Sequence, residues 1–170
     1  LHNVFVPIWT TTPWTIPANR AIAYGKDLDY IIIEVLDNHE NKQFFVGQKI
    51  LIAKERLEKF ILDTNIEKYN LEKELKGNLL QGSISMHPLS EEGYDFDVPL
   101  LHGDFVSTKQ GTGFVHVAPG HGEDDFELAM KYNIPVPDVV EDGGTYFPNI
   151  PLFAGMHVFK ALGPVCDALK

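Results

Sequence analysis

The sequence is short of cysteine, of positive charge and of long apolar runs, and each shortage closes a class of function. A single cysteine, Cys166, excludes an internal disulfide and fits a reducing compartment. Lys and Arg number 14 against 24 Asp and Glu, a formal charge of −10. That balance excludes a generic phosphate-binding surface, which needs many cations to displace counterions. Any RNA contact must be local or supplied by a partner. No apolar run approaches the roughly 20 residues of a membrane span, and no signal peptide is expected. We expect a soluble, cytoplasmic protein with no membrane partner. A Gly-x-Ser-x-Gly elbow is missing and Cys166 has no basic neighbour in sequence, so a nucleophilic triad is excluded. Gly111-x-Gly113 lacks the third glycine or the Lys-Ser/Thr that would make a phosphate cradle.

What is present is enough for a core. With 170 residues and an apolar fraction of 44%, the chain reads as one domain over 1–170. It opens at Leu1 without Met and closes at Lys170 inside the helical pattern Val158, Leu162, Val165, Leu169. We therefore expect a piece cut from a longer protein.

Short strands dominate the pattern. An apolar run over Val4–Trp9 leads into a loop bearing Pro13 and Pro17, which exclude a regular helix. Ala21–Tyr24 and Tyr30–Val35 read as a hairpin about the turn Gly25–Asp29, and 37–42 as a polar tip in which His39 is solvated. Strands continue at 43–46 and 49–52; Leu57, Phe60 and Ile61 then mark a helical face. The mixed charges of 67–76 form a solvated face. A further strand falls within 77–84, a loop at 86–93, and irregular structure with short strands over 134–153, followed by a last helix from about Gly155. The fold expected is β-rich α+β, a β-barrel core with peripheral helices.

Two stretches carry the unusual chemistry. In Gly111-Thr-Gly-Phe-Val-His-Val-Ala-Pro-Gly-His-Gly-Glu-Asp-Asp125, four glycines, two histidines and three acids sit where a strand gives way to a helix with the stripe Phe126, Ala129, Met130. His116 and Asp125 would lie at the two ends of one tight connection. A metal fits poorly, because the His-x4-His spacing of His116 and His121 on a Gly/Pro loop does not present two imidazoles together and a third ligand is wanted. Asp124 and Asp125 are also ordinary capping acids for a helix start. The other stretch, Thr10-Thr-Thr12, places three hydroxyls together, which β-propensity alone can explain.

Taken together, Trp9-Thr-Thr-Thr-Pro-Trp-Thr-Ile-Pro-Ala-Asn19 and Gly111–Asp125 resemble the two signature stretches of the editing (connective peptide) domain of isoleucyl-tRNA synthetase. They stand in that family's order, and Gly155-Met-x-Val-Phe-x-Ala161 is similar to its return toward the synthetase body, so the resemblance spans nearly the whole chain. The Pro-Trp after the threonines favours the isoleucyl over the valyl type, whose loop reads Thr-x-Pro-Glu; leucyl enzymes differ more. Signatures of the His-Ile-Gly-His and Lys-Met-Ser-Lys type are missing. The resemblance thus implies a domain without cofactor or metal, ATP and zinc belonging to the parent synthetase, and a monomer.

What the resemblance implies is hydrolysis of valine wrongly esterified to tRNA(Ile), or of valyl-adenylate. The partners would be the valine-bearing 3′ end of that tRNA and the rest of the synthetase. Asp125, His116 and Thr11 are the implied catalytic residues. Asp125 holds the α-ammonium, a natural charge-assisted pair; His116 is the pocket wall; Thr10, Thr11 and Thr12 bind ribose and ester. Trp14 stacks on the terminal adenosine, Asn19 lies near the substrate, and His121 is a secondary candidate because some family members carry another residue there. The rival readings are a module that binds the aminoacylated end without hydrolysing it, and a metal hydrolase.

Overall fold

The computed structural model of the chain describes residues 3–37 and 44–170. The polar tip with His39 falls on 38–43, outside the described residues; of the strand expected at 43–46, the described residues 44–46 form a bend and turn instead. By internal packing the chain divides into two compact units. One is built from the described residues of 1–9, 23–83 and 102–115, the other from 10–22, 84–101 and 116–170.

Two four-stranded sheets carry the fold. The first, in the order β1-β4-β3-β5, comprises β1 (Val4–Phe5), β3 (Asp29–Asp37), β4 (Lys49–Ala53) and β5 (Lys68–Lys76). Its β1 is parallel to β4, and β3 is antiparallel to both β4 and β5. The second has the order β6-β7-β2-β8, with β2 (Ala21–Tyr24), β6 (Ile84–Met86), β7 (Asp97–His102) and β8 (Phe114–Val117). The helices are α1 (Leu57–Thr64), α2 (Glu123–Tyr132) and α3 (Leu162–Ala168).

The expected barrel does not form, and the two sheets remain separate. At one edge of the first sheet stands β5, exposed at every residue but Leu75 and carrying Lys68, Lys73 and Lys76; at the other stands the two-residue β1. Lysine-rich and very short edge strands oppose further pairing, so the sheet ends instead of closing. The expected hairpin is also absent, since β2 and β3 enter different sheets. The turn between them is occupied: Gly77 N–H donates to Leu28 O at 2.9 Å and Asn78 N–H to Lys26 O at 2.9 Å. A Cβ on Gly77 would meet Gly25 O at 2.0 Å, so only glycine passes there.

In the first unit the core follows the periodicity of the sequence. Ile31, Ile33 and Val35 share one face of β3 and bury against Ile50, Ile52 and Ile66. The expected α1 face of Leu57, Phe60 and Ile61 packs on that cluster. Tyr30, on the opposite face, lies with its ring 4.8 Å from that of Phe114. Its hydroxyl donates to Gly113 O at 2.7 Å, and burial pushes its pKa up to about 12. Gly113 has φ +82°, and a Cβ there would stand 2.2 Å from that of Ala53. Gly113 of the sequence motif therefore serves a tight backbone crossing.

In the second unit α3 packs against a 3-10 turn, Pro13–Ala18, with Val165 fully buried. The stripe expected on α2 is corrected. Ala129 is buried as its spacing requires, but its buried companion is Leu128, whereas Phe126 and Met130 are 48% and 49% exposed. The packed face is thus rotated about the helix axis from the one that hydrophobicity alone selects. Among the described residues, no helix is long and apolar enough to cross a membrane.

Candidate functional site

All eight residues singled out from the sequence lie in the second unit. The threonine stretch is not a strand, so β-propensity does not account for its three hydroxyls. Prolines 13 and 17 fix φ and remove donors, and the chain winds into the 3-10 turn Pro13–Ala18. Just before it, Thr12 N–H donates to Thr10 Oγ1 at 3.0 Å, and the hydroxyls of Thr11 and Thr12 lie 3.4 Å apart. Thr11 is exposed, while Thr15 and Asn19 are buried.

The turn delivers two side chains onto His116, which sits on β8 and is 8% exposed. Asn19 Nδ2 lies 2.6 Å from Nδ1 of His116, and Thr15 Oγ1 lies 3.0 Å from its Nε2. The partners define the tautomer. Thr15 spends its hydroxyl proton on Thr12 O at 2.9 Å, so its oxygen accepts from Nε2–H. Asn19 uses its other amide proton on Ala21 O at 2.9 Å, and donates to Nδ1. One continuous chain results: Asn19 to His116 to Thr15 to the carbonyl of Thr12. Both ring nitrogens are committed to the protein. Burial, with help from His87 and His121, lowers the His116 pKa to about 4 and holds the ring neutral.

Asp125 occupies the first turn of α2, whose N-cap Gly122 has no side chain to offer. Its Oδ2 accepts from Ala118 N–H at 2.9 Å, two residues beyond His116 in sequence. A Cβ on Gly122 would come within 3.1 Å of the same oxygen, so glycine keeps the room for the carboxylate. Burial raises the Asp125 pKa and the Ala118 hydrogen bond opposes the rise. The acid is therefore both a loop anchor and a half-buried carboxylate. Asp124 and Glu123 are exposed.

His121 meets the threonine turn by a different route. Its ring stands edge-on to that of Trp14, centroids 5.0 Å apart at 76°, and burial lowers its pKa. Beside it opens a cleft of 670 Å³ lined by residues including His121, Glu123, Phe126 and Val136. The structure thus joins Asn19 to His116 and Trp14 to His121, while Thr10 and Thr11 bond within their own loop. Thr15 is a site residue that sequence reasoning does not single out. It lies inside the first motif, but only a 3-10 turn makes Thr12 and Thr15 neighbours. Among the described residues no group of three or more His, Cys, Asp or Glu is placed to hold a metal ion.

A buried neutral imidazole, a hydroxyl-rich turn and a half-buried acid thus lie in a fold of two open sheets, and the chain belongs to the leucyl-tRNA synthetase editing-domain family, whose model matches residues 41–154. In sequence it is similar to isoleucine–tRNA ligases. It is 51% identical over 169 residues to that of Gluconobacter oxydans (strain 621H), covering 99% of this chain and 18% of that one. For Pelagibacter ubique (strain HTCC1062) the figures are 49% over 170 residues, with 100% and 18% covered. The chain spans less than a fifth of these relatives' length. In fold it is similar to the crystal structure of GlLeuRS-CP1, with TM-score 0.69 and 15% identity over 98% of this chain and 80% of that one. The P. knowlesi cytosolic leucyl-tRNA synthetase editing domain matches with TM-score 0.60 and 13% identity, over 76% and 51%.

Proposed function

We propose that residues 1–170 are the single editing domain of an isoleucine–tRNA ligase, and that it hydrolyses the ester of valine misattached to tRNA(Ile). The observation that carries the reading is the chain Asn19–His116–Thr15–Thr12, which ties both signature stretches into one buried wall. The relatives named above are isoleucine–tRNA ligases, which supports the isoleucyl assignment. A second sieve is needed because one methylene changes binding by only roughly 1–3 kcal/mol, a general limit for which isoleucyl-tRNA synthetase is itself the standing example.

In this reading Asp125, ionised, accepts the α-ammonium of the esterified amino acid. The hydroxyls of Thr10, Thr11 and Thr12 meet the terminal ribose and the ester, with Thr11 the exposed one best able to order water. His116 limits side-chain size. With Nε2–H donated to Thr15 and Nδ1 accepting from Asn19, it has no spare lone pair with which to deprotonate water. Its role is that of a rigid wall. Trp14, Asn19 and His121 frame the site, and no metal or cofactor takes part. The parent synthetase supplies the grip on the tRNA, since 14 cations against 24 acids leave this chain without one.

Commitment of both His116 nitrogens also favours a second reading, a module that binds the aminoacylated end without hydrolysing it. Incubating the 170-residue chain with valyl-tRNA(Ile) separates the two. Release of valine that chelators leave unchanged supports hydrolysis. No release, with retained binding of a nonhydrolysable valyl-adenosine analogue, supports the binding module. Release abolished by chelators returns the metal hydrolase.

A further inference from the structure

The turn that carries Thr15 and Asn19 has a built-in defect. In a 3-10 turn each N–H donates to the carbonyl three residues earlier, as Thr15 N–H does to Thr12 O at 3.1 Å and Asn19 N–H to Ile16 O at 3.0 Å. The donor to Trp14 O should be residue 17, and Pro17 has no N–H. A buried carbonyl left without a donor costs a desolvation penalty, so a replacement is expected.

Tyr146 provides it. Its hydroxyl donates to Trp14 O at 2.5 Å. The residue is fully buried, and its own backbone is fixed at both ends: Tyr146 N–H donates to Met156 O at 2.9 Å and Gly155 N–H to Tyr146 O at 3.0 Å. Burial raises its pKa to about 12, so the phenol keeps the proton it donates. Neighbouring carbonyls are held in the same manner. His87, whose Nδ1 accepts from Leu89 N–H, donates Nε2–H to Ile16 O at 3.0 Å, and Arg20 Nη1 donates to Asn19 O at 2.5 Å. Thus the turn keeps two hydrogen bonds of its own ladder, and the carbonyls of Trp14 and Ile16 are held by side chains from other parts of the second unit.

We propose that Tyr146 is a positioning residue for editing: its hydroxyl replaces the donor that Pro17 lacks and fixes the turn that sets Thr15 and Asn19 on His116. This rests on the hydrolysis proposed above. Tyr146 touches no substrate; it acts through the turn.

The test is Tyr146→Phe in the 170-residue chain, assayed on valyl-tRNA(Ile) and by 15N NMR of the His116 ring. We expect kcat to fall about tenfold, equivalent to about 1.4 kcal/mol, with KM within about twofold and the His116 nitrogen signals displaced. Adding Pro17→Ala to Tyr146→Phe restores a backbone N–H opposite Trp14 O, and should bring kcat back to within about threefold of the unsubstituted chain and the His116 signals back to their original positions. A merely structural tyrosine would lower the melting temperature and leave kcat and the imidazole signals unchanged. That result, or a double variant no better than the single one, overturns the proposal. If the unsubstituted chain releases no valine, the hydrolysis reading fails and the His116 signals alone decide: displaced and then restored supports positioning, unchanged overturns it. If Tyr146→Phe does not fold, the double variant must, and its failure to fold is also an overturning result.

Discussion

Lowering the pH from 7 to 4 forces a proton onto a histidine that the fold holds neutral, and the size of that conflict can be worked out. His116 has a pKa of about 4 in the folded chain against 6.5 when free, because burial disfavours the imidazolium. At about 1.36 kcal/mol per pH unit, the gap corresponds to about 3 kcal/mol. Between pH 4 and 6.5 the unfolded chain binds more protons than the folded one, so stability rises with pH across that window. The contribution is complete above pH 6.5 and is lost progressively as the pH falls to about 4. The perturbation that isolates it is His116→Gln, whose amide does not titrate and can still hydrogen-bond with Thr15 and Asn19. His87 and His121, lowered by burial, and Asp125, raised by burial, also titrate in both proteins, so their effects cancel to first order in the difference. Guanidinium unfolding of both proteins at pH 7, 6, 5 and 4 is the assay, and the gap between them should narrow by about 3 kcal/mol on acidification. Parallel loss of stability in the two proteins would show that His116 is not held neutral and would refute the hydrogen-bond chain built on it.

Asp125→Ala should lower valine release by about one to two orders of magnitude, as expected for loss of a charged hydrogen-bond partner worth roughly 1.5–3 kcal/mol. Its melting curve should remain cooperative, and activity that survives the change would remove Asp125 from the ammonium site. His116→Ala opens the wall, and isoleucyl-tRNA(Ile) should begin to be deacylated; unchanged discrimination would take His116 out of the sieve. Gly113→Ala meets both a positive φ of +82° and a Cβ 2.2 Å from that of Ala53. It should destabilise by about 1–3 kcal/mol or more, and a melting temperature within a degree of the original would contradict the crossing described.

Local pattern gives a true account wherever burial follows periodicity within one element. Ile31, Ile33 and Val35 alternate on β3, and Leu57, Phe60 and Ile61 return on one face of α1, as their spacing requires. Strand partners are not legible in this way. Nothing in Ala21–Val35 signals that its turn is met by Gly77, some 50 residues later, or that β2 and β3 enter different sheets. Nor does a count of short strands reveal how they end, which Lys68, Lys73, Lys76 and the brevity of β1 decide. For the site, the two motifs point to His116 and Asn19, which the structure joins. The roles of Thr15 and Tyr146 depend on the geometry of a proline-interrupted 3-10 turn and on a partner 132 residues away. Such a partner leaves no periodic trace.

The proposed function is discrimination of valine from isoleucine on one tRNA, with removal of the smaller. Its most direct test is the ratio of deacylation rates measured on valyl-tRNA(Ile) and isoleucyl-tRNA(Ile) under identical conditions. Valine release should be faster by about 10- to 200-fold, the range one methylene can supply. Equal rates on the two esters, or release from neither, would contradict it.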